Sequence, residues 1–167
     1  MLPNFKQACI AFVTAAACAT MLALSVMPGH TQQRPFGDLP GSWSGKGNIT
    51  LSSGSREPIR CRATYDVRGS GNDLQLALRC ASDSYNFDFR AKGLYRDGSI
   101  AGQWDETTRR AAGTFTGSVK GNHIEARAEG QTFAALLGMT THGNRQSILI
   151  RSPGSAMSEV TIVLSRR

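Results

Sequence analysis

A small antiparallel up-and-down β-barrel of about 8–10 strands is the fold the sequence predicts. Three observations predict it. Apolar and polar residues alternate with period two from Pro58 onward. Turn signals interrupt the alternation at short intervals, at Gly69-Ser70-Gly71-Asn72, Asp97-Gly98, Gly121-Asn122 and Gly143-Asn144. No segment after the N-terminal region carries a helical period. A meander of this length is expected to close, because an open sheet leaves two rows of unpaired backbone groups at its edges.

Residues 1–31 are expected to stand apart from the fold. Lys6 supplies a positive charge, and Ala8 to Val26 is an almost uninterrupted apolar run ending near Pro28 and Gly29, the layout of a secretory signal peptide. Its alanine content makes the run weakly hydrophobic for an anchor, so no stable membrane span is expected once it is cleaved, somewhere between Ala23 and Gln33. The chain is then secreted. Residues 32–40 read as a linker and 41–167 as the barrel domain.

The first strand runs from Trp43 to Leu51. In the next, Ile59, Cys61, Ala63, Tyr65 and Val67 share one face, and Arg60, Arg62, Thr64, Asp66 and Arg68 the other. After the Gly69 to Asn72 turn, Leu74, Leu76, Leu78 and Cys80 alternate in the same way. A hairpin centred on Ser70 and Gly71 sets Val67 opposite Leu74, Tyr65 opposite Leu76 and Cys61 opposite Cys80. An even cysteine count in an exported chain already suggests one disulfide, and direct opposition in a hairpin allows the bridge geometry.

A turn at Asp83-Ser84 opposes Cys80 to Phe87, Leu78 to Phe89 and, on the outer face, Arg79 to Asp88. The Asp97-Gly98 turn opposes Tyr95 to Ile100, Ala91 to Trp104 and Arg90 to Asp105. Arg62 faces Arg79, an unfavourable pair, and Asp88 is expected to neutralise the row. Further strands are Gly113 to Val119, Ile124 to Ala128, Phe133 to Thr141, Gln146 to Ile150 and Val160 to Leu164. The motif Gly-x-apolar-x-Gly recurs around Trp43, Ile100 and Phe115, with glycines on inward faces that mark bends or close packing.

Formal net charge is +7, from 19 Lys and Arg against 12 Asp and Glu. The arginines are spread along the chain without a run, so the balance reads as a solvated basic surface, and nucleic acid is not expected as a partner. The stretch Gly41-Ser42-Trp43-Ser44-Gly45-Lys46-Gly47 is not a phosphate loop. Its spacing is one residue short, Gly47 stands where a hydroxyl residue belongs, and a strand rather than a helix follows.

Gly41-Ser42-Trp43 instead resembles the Gly-x-Trp signature of lipocalins and other calycins, in which the tryptophan closes the barrel bottom. The segments "GSWSGKG", "IRCRATY", "LQLALRCASDSYNFDF", "GQWDE" and "QSILI" resemble uncharacterised exported proteins of Gram-negative bacteria, which implies a periplasmic location and a calycin-like barrel. Export, one disulfide and Gly-x-Trp also resemble periplasmic protease and lysozyme inhibitors, which insert a segment or loop into an enzyme cleft. On that resemblance Gln32 to Pro40 and Glu106 to Ala112 are the candidate inserting segments.

Catalysis finds little in the residues. His123 and His142 lie in or beside turns without Cys or carboxylate at ligand spacing, so no metal and no cofactor is expected. No Gly-x-Ser-x-Gly elbow is present. The reading is a non-catalytic barrel that binds an apolar or amphiphilic small molecule of the envelope. The alternative is an interaction module for an envelope protein. The cavity candidates are Trp43, Tyr65, Phe87, Phe89, Trp104 and Phe115. Leu76, Leu78 and Met139 lie beside them, and Ala63, Gly93, Gly102, Gly117 and Ala126 leave room.

Overall fold

The computed structural model describes residues 35–131 and 134–167. The expected signal segment 1–31 and the strand residue Phe133 lie outside the described residues. The strands are β1 (Gly41–Leu51), β2 (Arg56–Arg68), β3 (Asp73–Ala81), β4 (Asn86–Arg96), β5 (Ser99–Glu106), β6 (Ala111–Lys120), β7 (His123–Gly130), β8 (Ala134–His142), β9 (Arg145–Arg151) and β10 (Met157–Arg166). Each pairs antiparallel with the next, and β10 pairs back onto β1, so the sheet is a closed barrel of ten strands.

The expected registers are present. Cys61 lies opposite Cys80, Tyr65 opposite Leu76 and Val67 opposite Leu74, and the cysteines are bonded at 2.09 Å. Leu78 faces Phe89 and Arg79 faces Asp88, while Ala91 faces Trp104 and Arg90 faces Asp105. The Asp97-Gly98 turn has φ of 48° and 84°, the left-handed pair that a two-residue hairpin needs to match strand twist. Alternation sets the faces: Ile59, Cys61, Ala63 and Tyr65 are buried, and Arg60, Arg62 and Thr64 are exposed.

Closure depends on inward glycines. β1 meets β10 from Trp43 opposite Arg166 to Ile49 opposite Val160, with a bulge between Thr50 and Leu51. A β-carbon on Gly45 would lie 1.9 Å from the carbonyl oxygen of Val163, so no other residue permits this approach.

The two ends differ. Connections leaving β2, β4, β6 and β8 are tight turns built on glycine with Asn or Asp. Those leaving β1, β3, β5 and β9 have four or five residues and are rich in hydroxyl residues: Ser52 to Ser55, Ser82 to Tyr85, Thr107 to Arg110 and Ser152 to Ala156. The barrel thus has a tight end and a loop end. Residues 35–40, expected as linker, belong to the barrel instead. Phe36 is 0% exposed and Leu39 3%, because both insert among the core residues at the tight end.

Candidate ligand-binding lumen

The tight end is sealed by groups that satisfy one another. The Trp43 indole donates to the Leu39 carbonyl at 2.8 Å, and its ring stands edge-on to Tyr65 at 6.3 Å. Phe36 packs edge-on against Tyr95 at 6.2 Å. The Arg166 guanidinium lies over the Trp43 ring, 4.5 Å from its centroid, and donates to the carbonyls of Pro40 and Asp38. This clamps the N-terminal segment onto the last strand. Tyr65 Oη donates to Gln146 Oε1 at 2.6 Å, and Gln146 Nε2 donates to Thr141 Oγ1 at 3.1 Å. Burial pushes the Tyr65 hydroxyl well above its ordinary pKa, with the Gln146 hydrogen bond a smaller opposing effect, so the phenol stays neutral.

Along the wall, aromatic rings lie in seats made by glycine. A β-carbon on Gly102 would meet the Phe115 ring at 2.8 Å, and one on Gly93 would meet it at 2.9 Å. Gly113 and Gly130 receive the Trp104 ring in the same way, at 2.9 and 3.0 Å. Each ring lies back over a neighbouring strand where a side chain would otherwise stand. Phe89 stacks on Trp104 at 5.9 Å and 19°, so the indole lies beneath Phe89 and is itself buried.

The loop end is less deeply buried. Leu76, Phe87, Phe89, Phe115, Leu137, Ile150 and Val160 share the inward register with the buried core, yet each is only partly buried. These side chains pack against the buried core while keeping part of their surface accessible, so this half of the interior is less completely covered than the other. β4 and β9 lie half-way around the ring from each other. Phe87 and Phe89 of β4 thus lie on the opposite side of the ring from Ile150 of β9.

The mouth is held by Glu106, which is 8% exposed. Its Oε1 accepts from the Thr108 hydroxyl at 2.5 Å, the Asp88 N–H at 3.0 Å and the Thr108 N–H at 3.1 Å. Oε2 accepts from the Arg109 N–H at 2.9 Å. Burial alone would raise its pKa, and these hydrogen bonds together hold the carboxyl below the usual glutamate value. The fixed turn sets the Arg109 guanidinium over Phe87, 4.6 Å from its centroid. Phe87 stacks in turn on Tyr85 at 6.3 Å. Across the mouth Glu57 accepts the Ser84 N–H at 2.8 Å, and hydrogen bonds from Ser82 and Ser84 lower its pKa. Among the described residues no group of His, Cys, Asp and Glu is placed to hold a metal ion.

The structure divides the sequence-predicted cavity residues. Phe87 and Phe89 lie at the loop end of β4, while the Phe115 ring lies deeper, against Gly93 and Gly102. Trp43 and Tyr65 belong to the sealed end, and Trp104 lies beneath Phe89. Leu137, Ile150, Val160 and the rim residues Tyr85 and Arg109 join the lumen without having been singled out. The alternation of β8 to β10 was a signal for the first three, but only barrel closure places them across from Phe89.

No protein-family profile matches the chain, and no curated protein matches it in sequence. Solved structures do. Rv2717c from M. tuberculosis is 14% identical over 79% of this chain and 94% of its own, with a TM-score of 0.61. The S-type phycobiliprotein lyase CPES from Guillardia theta is 9% identical over 79% of this chain and 90% of its own, with a TM-score of 0.56. At such identities the likeness establishes the architecture alone: the chain folds as a closed β-barrel of the kind these two proteins share.

Proposed function

We propose that this protein is an exported, non-catalytic barrel of the periplasm or extracellular space that binds an apolar or amphiphilic small molecule in its open half. One observation carries the reading: inward apolar side chains towards the loop end, Phe87, Phe89 and Ile150 among them, remain partly accessible, whereas the buried polar side chains Trp43, Tyr65, Gln146 and Thr141 of the other end are hydrogen-bonded within the barrel. An apolar lining with a few polar groups at its rim is the usual make-up of a small-molecule site. Likeness to a barrel named as a phycobiliprotein lyase supports a small-molecule role for this architecture. The ligand body would lie between Phe89 and Phe115 on one side and Leu137 and Ile150 on the other, with its polar end among the hydroxyl loops and Arg109.

Glu106, the most buried carboxylate at the mouth, spends its lone pairs on backbone and Thr108 donors, which supports a structural rather than a catalytic role. The inhibitor-like alternative draws less support. The segment ending at Pro40 buries Phe36 and Leu39 in its own barrel, and the Glu106 to Ala112 turn is tied down by Glu106.

Native mass spectrometry of protein isolated from the periplasm tests the reading, and a bound small molecule is the expected result. A barrel that emerges empty, and that takes up no environment-sensitive fatty probe at micromolar concentration, would overturn it.

A further inference from the structure

The outer wall of β1 to β4 carries positive charge that the fold does not neutralise. Lys46 lies directly opposite Arg60 across β1 and β2, and Arg62 directly opposite Arg79 across β2 and β3. Directly opposed like charges destabilise a sheet, and here two such pairs adjoin. Asp88 answers only part of the row. Its Oδ2 accepts from Arg79 Nε at 3.1 Å, and Oδ1 lies 3.9 Å from Arg90 Nε without accepting a hydrogen bond. Among the described residues Lys46, Arg60 and Arg62 have no carboxylate within ion-pair distance. All three are exposed. The residues between them are small, with Ala81 opposite Arg60 and Ala77 opposite Arg90, so nothing stands between the guanidinium groups and a flat partner. The sequence-based expectation that Asp88 neutralises the Arg62 and Arg79 row therefore holds for Arg79 and fails for Arg62.

We infer that this wall is a docking surface for a membrane bearing anionic phosphate headgroups. Guanidinium is matched to phosphate oxygens in geometry and charge. A specific protein partner would bury an aromatic or apolar core, and the neighbours of these cations on the wall are small or polar: Ser44, Thr64, Ala77 and Ala81, with Asp88 beside Arg79. Nothing on this wall is shaped to enter the hydrocarbon, so the contact is electrostatic, peripheral and reversed by salt. The wall runs up to the Ser52 to Ser55 and Ser82 to Tyr85 loops at the loop end. The inference rests on the charge arrangement and stands whether or not the lumen holds a ligand.

Flotation with vesicles of phosphatidylcholine alone and of phosphatidylcholine with phosphatidylglycerol, at low and high salt, tests it. Binding is expected only with phosphatidylglycerol and is expected to be lost at high salt. Arg60→Ser and Arg62→Ser should each weaken it about five-fold. Lys120→Ser and Arg145→Ser, on β6 and β9, should leave it unchanged. Arg62→Ser also relieves the repulsion with Arg79, so its urea midpoint should equal or exceed the parent's, which separates lost binding from lost fold. Equal binding to both vesicle types, an equal effect of the β6 and β9 variants, or preference for duplex DNA over the vesicles would each overturn the inference.

Discussion

Tyr65 and Glu106 are polar residues on inward strand positions, and each is held by hydrogen bonds made across strands. In Tyr65→Phe the ring remains but Gln146 Oε1 loses its 2.6 Å donor in a buried site. An unsatisfied buried acceptor costs about 1–3 kcal/mol, so the urea midpoint should fall accordingly, and an unchanged midpoint would mean that water replaces the phenol. Glu106 has its folded-state pKa below the unfolded value. The stability it contributes is therefore fully present above the ordinary glutamate pKa of about 4.3 and is lost as pH falls through the folded-state pKa. Glu106→Gln should be less stable than the parent at neutral pH, and the gap should close as the solution is acidified. A gap independent of pH would remove the carboxylate from this role. Alternation marks Glu106 as inward, but nothing local in the sequence shows that Thr108, Asp88 and Arg109 converge on it.

Among the elements, the β2–β3 hairpin was the most legible, because one turn fixes one register and every opposed pair follows. Cys61 and Cys80 are joined within a hairpin already closed by its turn and ladder. The chain-entropy model gives roughly 3 kcal/mol for a free loop of this length. The double variant Cys61→Ser with Cys80→Ser should lose less than that in denaturant titration. The β5–β6–β7 wall is less forgiving. A β-carbon on Gly113 would lie 1.8 Å from the Glu129 carbonyl and 2.9 Å from the Trp104 ring. Gly113→Ala should therefore cost about 1–3 kcal/mol or more through overpacking, and should shift Trp104 fluorescence as the indole leaves its seat. The recurring Gly-x-apolar-x-Gly pattern announced close packing, but which ring fills which seat depends on strand neighbours that the pattern does not name.

For the whole molecule, the closed end is an assembly of parts from both ends of the described chain: Phe36, Leu39 and Trp43 from one, Leu164 and Arg166 from the other. Trp43→Ala and Phe36→Ala each remove a large buried ring, and each should cost about 3–5 kcal/mol, read from urea midpoints. A midpoint near the parent's for Phe36→Ala would show that residues 35–40 are a linker after all. The same burial constrains processing. If the chain is exported as proposed, N-terminal sequencing of the mature protein should find Phe36 still present.

Period-two alternation and turn residues by themselves determined the all-β class, the hairpin registers, the inward row and the Cys61–Cys80 pairing, since each depends on residues close in sequence and on a side-chain period of two. Closure of β1 on β10, conversion of residues 35–40 from linker to plug, the glycine seats, and the difference between sealed and open ends were decided only by the tertiary structure. Each joins residues far apart in the chain, and an inward residue looks the same in sequence whether it is fully buried at the sealed end or partly accessible towards the loop end. Trp43 and Phe89 both alternate inward among small residues. The barrel places one against Leu39, Tyr65 and Arg166 at its sealed end and the other across the lumen from β9, and that placement separates a structural ring from a lining one.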